Sequence, residues 1–186
     1  MIAPPRQKRT PQPLDAARLN DLALAYVARF AVSGAKLETY LKRKLGERGW
    51  GEETDPPVNE IVARFVRAGY LDDAAYAVQK ASALRRRGYG ERRVAQALDA
   101  AGVASAQRGE ARAGEAAQRQ AALVYARRRR LGPFGPAVDR PGREKQLAAL
   151  LRAGHRADLA RAVLGASDVA AIEAWVVSAA AEEDEA

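Results

Sequence analysis

The chain has 186 residues and no cysteine; 48% of it is hydrophobic, much of that alanine, and aromatics make up 6%. This excludes disulfides, thiolate metal sites and a cysteine nucleophile, and it confines any core to thin layers of close-packed helices. The formal charge is +8, but six of the 23 acidic residues and none of the 31 basic ones lie from Ser167 onward, so the first 166 residues carry +14. A basic body with an acidic end suits a polyanionic partner such as nucleic acid, although an arginine-rich, alanine-rich composition also follows from genome base bias. No run of about 18 apolar residues is present, which argues against a membrane span. The N-terminus lacks the apolar stretch of a secretory signal, so a cytoplasmic protein is expected.

In chain order, residues 1–15 are proline-rich and basic and are expected to be a disordered tail. Leu19, Leu22, Ala23, Tyr26, Val27 and Phe30 fall on one face of a first helix. Ser33 is placed to cap a second, with Leu37, Tyr40, Leu41 and Leu45 on its apolar side. Gly46, Gly49 and Gly51 end it under Trp50. Thr54 or Asp55 is expected to cap a third helix, with Pro56 and Pro57 in its first turn. Ile61, Val62, Phe65 and Val66 form its apolar face, and Gly69 closes it. Tyr70 and Leu71 are apolar where loops are usually polar, which predicts a packed corner, and Asp72 is placed to cap a fourth helix.

That fourth helix runs to Arg85, Arg86 and Arg87 and turns at Gly88-Tyr89-Gly90. A fifth carries Val94, Ala97, Leu98 and Ala101 inward and ends at Gly102. Ser105 is a possible cap for a short sixth, over 106–113. A seventh, from about Glu115 to Arg130, has Ala117, Ala121, Val124 and Tyr125 inward. Residues 132–142, rich in Pro and Gly, must be a loop. An eighth helix holds Leu147, Leu150 and Leu151 and ends at Gly154. Asp158 begins a ninth, and Asp168 caps a last one whose acidic end frays.

Three helix ends are alike: Arg67-Ala68-Gly69-Tyr70, Ala100-Ala101-Gly102-Val103 and Arg152-Ala153-Gly154-His155. They are 33 and 52 residues apart. Such spacing predicts tandem three-helix units: an all-α, elongated, curved array with repeats at 16–71, 72–113 and 114–165, the last interrupted by the 132–142 loop, and an acidic helix or tail at 166–186. No nucleophile–base pair, metal cluster or phosphate-cradling glycine loop is recognisable, so neither an enzyme nor a cofactor is expected. His155 reads as a packing residue. Asp72 and Asp73 read as helix-start residues rather than a metal pair. The binding candidates are the arginine runs Arg85, Arg86, Arg87; Arg92, Arg93; and Arg127, Arg128, Arg129, Arg130, which stacked units would align into a basic stripe. Few aromatics look free to stack on bases.

The segment Gly69-Tyr70-Leu71-Asp72-Asp73-Ala74-Ala75-Tyr76-Ala77 resembles the hallmark of the RecX regulatory proteins: Gly, aromatic, aliphatic, Asn/Asp, Asp/Glu, two variable residues, aromatic, Ala. Arg87-Gly88-Tyr89-Gly90, Arg92-Arg93-Val94 and Leu98 to Gly102-Val103 continue in that family's order, and Ala25-Tyr26 to Leu41 matches its first unit. The resemblance covers about 19–165. It implies a bacterial, monomeric, all-helical regulator that binds the RecA recombinase filament on single-stranded DNA, with double-stranded DNA a further possible partner. Such a protein inhibits by occupying the filament groove and impeding growth. It implies no catalytic residue; Gly69, Tyr70, Leu71, Asp72, Tyr76 and Ala77 are its structural motif. The alternative reading is a basic helical-repeat protein that binds nucleic acid without a recombinase partner.

Overall fold

The computed structural model describes residues 12–184. Ten α-helices account for the regular structure: α1 Ala16–Arg29, α2 Gly34–Arg48, α3 Val58–Arg67, α4 Asp73–Arg86, α5 Glu91–Asp99, α6 Ser105–Glu110, α7 Glu115–Arg129, α8 Arg140–Arg152, α9 Ala157–Gly165 and α10 Val169–Asp184. The fold is all-α. Among the described residues the only β pairing is an isolated bridge between Leu14 and Trp50, and no helix is long and apolar enough to cross a membrane.

The helices fall into two compact units, Met1–Asp72 and Asp73–Ala186. In the first, α1 to α3 enclose Leu19, Leu37, Leu41, Ile61 and Phe65. Each fully buried leucine contributes about 2 kcal/mol by leaving water. Tyr26 and Tyr40 stack at 4.0 Å beside this core. The expected disordered tail lies outside the described residues up to 11. Its last four residues are ordered, because Leu14 is fully buried and its backbone is held from both sides, its N–H donating to Gly49 O (3.0 Å) and its carbonyl accepting from Gly51 N (2.9 Å). Asp15 then caps α1, accepting from Arg18 N at 2.8 Å.

In the second unit α4, α5 and α6 surround a small alanine-rich core around Val94 and Leu98. A second core around Leu123, Leu150, Val163, Leu164 and Ile172 joins α7 to α10. The two segments expected as separate modules, 72–113 and 114–165, share this unit because α7 packs on α4 as well as on α8, α9 and α10. Being covered on several sides, α7 has no clean stripe: Gln118, Ala121, Ala122, Leu123 and Ala126 are buried, whereas Ala117, expected inward, is exposed. The acidic end does not fray: α10 runs to Asp184 and buries Ile172 and Ala179.

Helix corners follow one rule. At Gly69, Gly88, Gly102 and Gly154 φ is +74°, +85°, +69° and +98°. The residue after each glycine donates to the carbonyl five residues back: Tyr70 to Phe65, Tyr89 to Leu84, Val103 to Leu98, His155 to Leu150. The glycine itself donates three residues back, so the last carbonyls of each helix are satisfied as in a Schellman closure. Arg130 makes the same closure with a side chain in the left-handed region, at φ +55°.

Caps divided. Ser33 accepts from Lys36 N at 3.3 Å and Asp168 from Ala171 N at 2.8 Å, as expected. Ser105 is the first helical residue, with Ala104 at the cap. α3 starts only at Val58, with no side-chain cap. Asp55 precedes Pro56 and Pro56 precedes Pro57, and the residue before a proline is pushed out of the helical region. The 132–142 loop is shorter than expected and partly regular. A 3-10 turn spans Gly132–Phe134, and α8 begins at Arg140 because Asp139 accepts from Gly142 N at 2.9 Å.

Candidate functional site

The second unit brings three distant segments to one place. The corner at Gly88-Tyr89-Gly90 meets the corner at Ala153-Gly154-His155, with Gly90 N donating to Ala153 O (3.0 Å) and Arg92 N to Gly154 O (3.2 Å). The approach is so close that a Cβ on Gly90 would lie 2.4 Å from the backbone of Gly154 and His155. Only glycine fits there. The third segment is α7: a Cβ on Gly88 would lie 2.8 Å from Tyr125 N, and the Tyr125 ring is 5.8 Å from that of His155.

His155 is buried and fixes the junction. Its Nε2 lies 3.0 Å from Gly88 O; a carbonyl only accepts, so Nε2 carries the proton. Nδ1 is buried without a hydrogen-bond partner. Burial holds the imidazole pKa below the usual 6.5, against the opposing pull of the Gly88 carbonyl and of Glu91. His155 is therefore a neutral packing group, as its sequence position suggests.

Over this junction lies a cavity of about 420 Å³ lined by five arginines, Arg87, Arg93, Arg128, Arg129 and Arg152, and two tyrosines, Tyr89 and Tyr125. Its rim is pinned by Arg128, whose Nη1 donates to Arg87 O at 2.6 Å. Arg87 stands over the Tyr89 ring at 5.8 Å. Among the described residues none of the five arginines forms an ion pair with a carboxylate. Five cations share one small concavity without neutralisation, and their repulsion is relieved only by an anion from outside.

The nine arginines singled out by sequence thus separate. Arg87, Arg93, Arg128 and Arg129 converge on the cavity. Arg85 is occupied internally: it pairs with Glu91 at 2.6 Å and donates to Ala111 O at 2.6 Å, with 15% of its side chain exposed. Arg127 pairs with Glu173 of α10 and lies over Phe134. Arg92 donates to Leu151 O at 2.6 Å and so braces the junction from outside. Arg86 bonds Ser82, and Arg130 closes α7. Arg152, Tyr89 and Tyr125 were missed. Arg152 is a lone arginine, but it opens the third of the like corners, and that position was the signal available.

The acidic helix meets basic α7 along its length. Besides Glu173 on Arg127, Glu182 faces Arg119 at 3.5 Å, Glu183 accepts from Ala116 N at 3.0 Å, and the Arg119 guanidinium lies 4.9 Å above the Trp175 ring. α10 is thus part of this unit's core.

The hallmark motif is split in its burial. Leu71 (4% exposed) and Ala77 (0%) are core residues, and Tyr76 packs against the α4–α5 core. Asp72 directly precedes α4. Tyr70, expected to be buried in the corner, is 60% exposed. The Schellman closure at Gly69 turns Leu71 inward and leaves the Tyr70 ring outside, 5.4 Å from Phe65. There it borders a groove of about 520 Å³ with Leu24, Ile61 and Phe65.

No protein-family model matches the chain. The regulatory protein RecX of Myxococcus xanthus (strain DK1622) is 35% identical over 172 residues, which cover 86% of this chain and 90% of that protein. The crystal structure of RecX from Lactobacillus salivarius matches with a TM-score of 0.63 at 16% identity, covering 81% of this chain and 94% of the other. This second likeness is one of fold.

Proposed function

The chain belongs to the RecX family of regulatory proteins, and we propose that it binds the RecA recombinase on single-stranded DNA and inhibits it by lying in the filament groove and impeding growth. The observation that carries this reading is the 35% identity, over nearly the whole of both chains, with a protein named as RecX. The arginine cavity of the second unit supports it physically. A groove walled by recombinase and phosphates offers anions, and five unneutralised guanidiniums are suited to receive them.

The test is strand exchange by recombinase on single-stranded DNA, with this protein added below stoichiometric amounts. Inhibition is expected. Full exchange at equimolar protein would reject the reading. A nucleic-acid binder that ignores the recombinase is the second reading, favoured by the same arginine cluster. It requires salt-sensitive binding to DNA alone and no effect on the recombinase.

A further inference from the structure

We propose that the cavity over the Gly90–Gly154 junction is a nucleotide site, taking one phosphate-and-base unit of single-stranded nucleic acid. The proposal rests on reading this face as the polyanion contact and goes beyond it in assigning the base a place. If phosphate were the whole ligand, arginines alone would serve. Here Tyr89 and Tyr125 are set among them, in a concavity of about 420 Å³. That volume falls within the roughly 300–1,000 Å³ of small-molecule sites.

Arg87 over Tyr89 puts a cation and a π face at one point. Single-strand sites combine these two features, because every base has a face to stack. A base paired and stacked within a duplex cannot enter such a pocket, so the site favours unpaired strands. It is also built in advance. The two corners are joined by backbone bonds, Arg128 holds the carbonyl of Arg87, and His155 holds that of Gly88. Neither the arginines nor the rings need to assemble around the ligand, and little ordering cost is incurred on binding.

The test uses the full chain without recombinase. Fluorescence anisotropy compares a short oligothymidylate with an abasic strand carrying the same number of phosphates. The oligothymidylate is expected to bind about tenfold tighter, the scale of one base stacked on an aromatic ring. Tyr89→Leu should bring the two strands to parity and Tyr89→Phe should retain the preference. Arg93→Gln with Arg152→Gln should weaken both strands alike and flatten the salt slope by about two. Helical circular dichroism confirms that each variant is folded, and Tyr89→Phe makes the ring's role testable even if Tyr89→Leu unfolds.

Equal binding of the two strands by the parent would overturn the proposal. So would polyglutamate competing as well as oligothymidylate, which would make the cavity a carboxylate site. Displacement of the strand by free ATP at concentrations matching those of strand nucleotides would also overturn it, in favour of a free nucleotide. None of these results touches strand-exchange inhibition, so failure here and failure of the family reading are distinguishable.

Discussion

Gly90→Ala tests whether the junction beneath the arginine cavity is as tight as its geometry requires. The added Cβ would lie 2.4 Å from the carbonyl carbon and oxygen of Gly154 and from His155 N, against 3.4–4 Å for ordinary contact. All three are backbone atoms, so the two corners must part by about 1 Å. Overpacking of this kind costs about 1–3 kcal/mol. Parting the corners also weakens the bonds from Gly90 N to Ala153 O and from Arg92 N to Gly154 O, each worth about 1 kcal/mol. The sum is about 3–5 kcal/mol. At about 4 °C per kcal/mol for a unit of this size, Tm falls by about 12–20 °C. The two tryptophans, Trp50 and Trp175, lie in different units, so a Trp50→Phe background makes fluorescence report the second unit alone. Gly46→Ala is the control of opposite sign. It sits inside α2 with no atom within 4 Å of the added Cβ, and should stabilise by about 0.5–1 kcal/mol. If Gly90→Ala melts within about 2 °C of its parent, the close approach of the corners is wrong.

Tyr70→Ala should cost about 1 kcal/mol or less, since its ring is 60% exposed, whereas Leu71→Ala, at 4% exposure, should cost about 3 kcal/mol. Thermal melts of both would refute the corner's geometry if that order were reversed. Glu173→Gln removes the partner of Arg127, and both side chains are about half exposed, so stability should change by less than about 1 kcal/mol. Affinity for oligonucleotide should rise and its salt slope steepen by about one; an unchanged slope would show that Arg127 lies off the binding path. His155 has a folded-state pKa below its usual 6.5. As pH falls through 6.5 the unfolded chain takes up a proton that the folded one does not, so stability declines below that pH, by at most about 1.4 kcal/mol per unit. It levels off below the folded-state pKa. His155→Gln should flatten the decline between pH 7 and 5 in denaturant titrations; an unaltered slope would mean that another group titrates.

The helix corners were legible because glycine at a positive φ is a local requirement. Gly69, Gly88, Gly102 and Gly154 announce themselves without any tertiary information. Ser33 and Asp168 were legible as caps for the same reason, while the start of α3 was misjudged because two consecutive prolines override the nearest capping side chain. The face of α7 was not legible, since a helix covered on several sides carries no stripe to read.

At the site, the arginine runs could be seen, but not which of their members were free. That depends on carboxylates and carbonyls supplied from elsewhere in the chain, Glu91 for Arg85, Glu173 for Arg127 and Leu151 for Arg92. Arg152 and the two tyrosines joined the site only through the meeting of two corners more than sixty residues apart.

The most direct test is the rate of ATP hydrolysis by recombinase filaments growing on single-stranded DNA, measured as this protein is titrated from zero to equimolar. Progressive loss of hydrolysis at substoichiometric protein is expected, with Arg93→Glu/Arg152→Glu shifting the titration to higher protein while remaining helical. Hydrolysis that stays constant throughout the titration would contradict the assignment of this chain as a recombinase regulator.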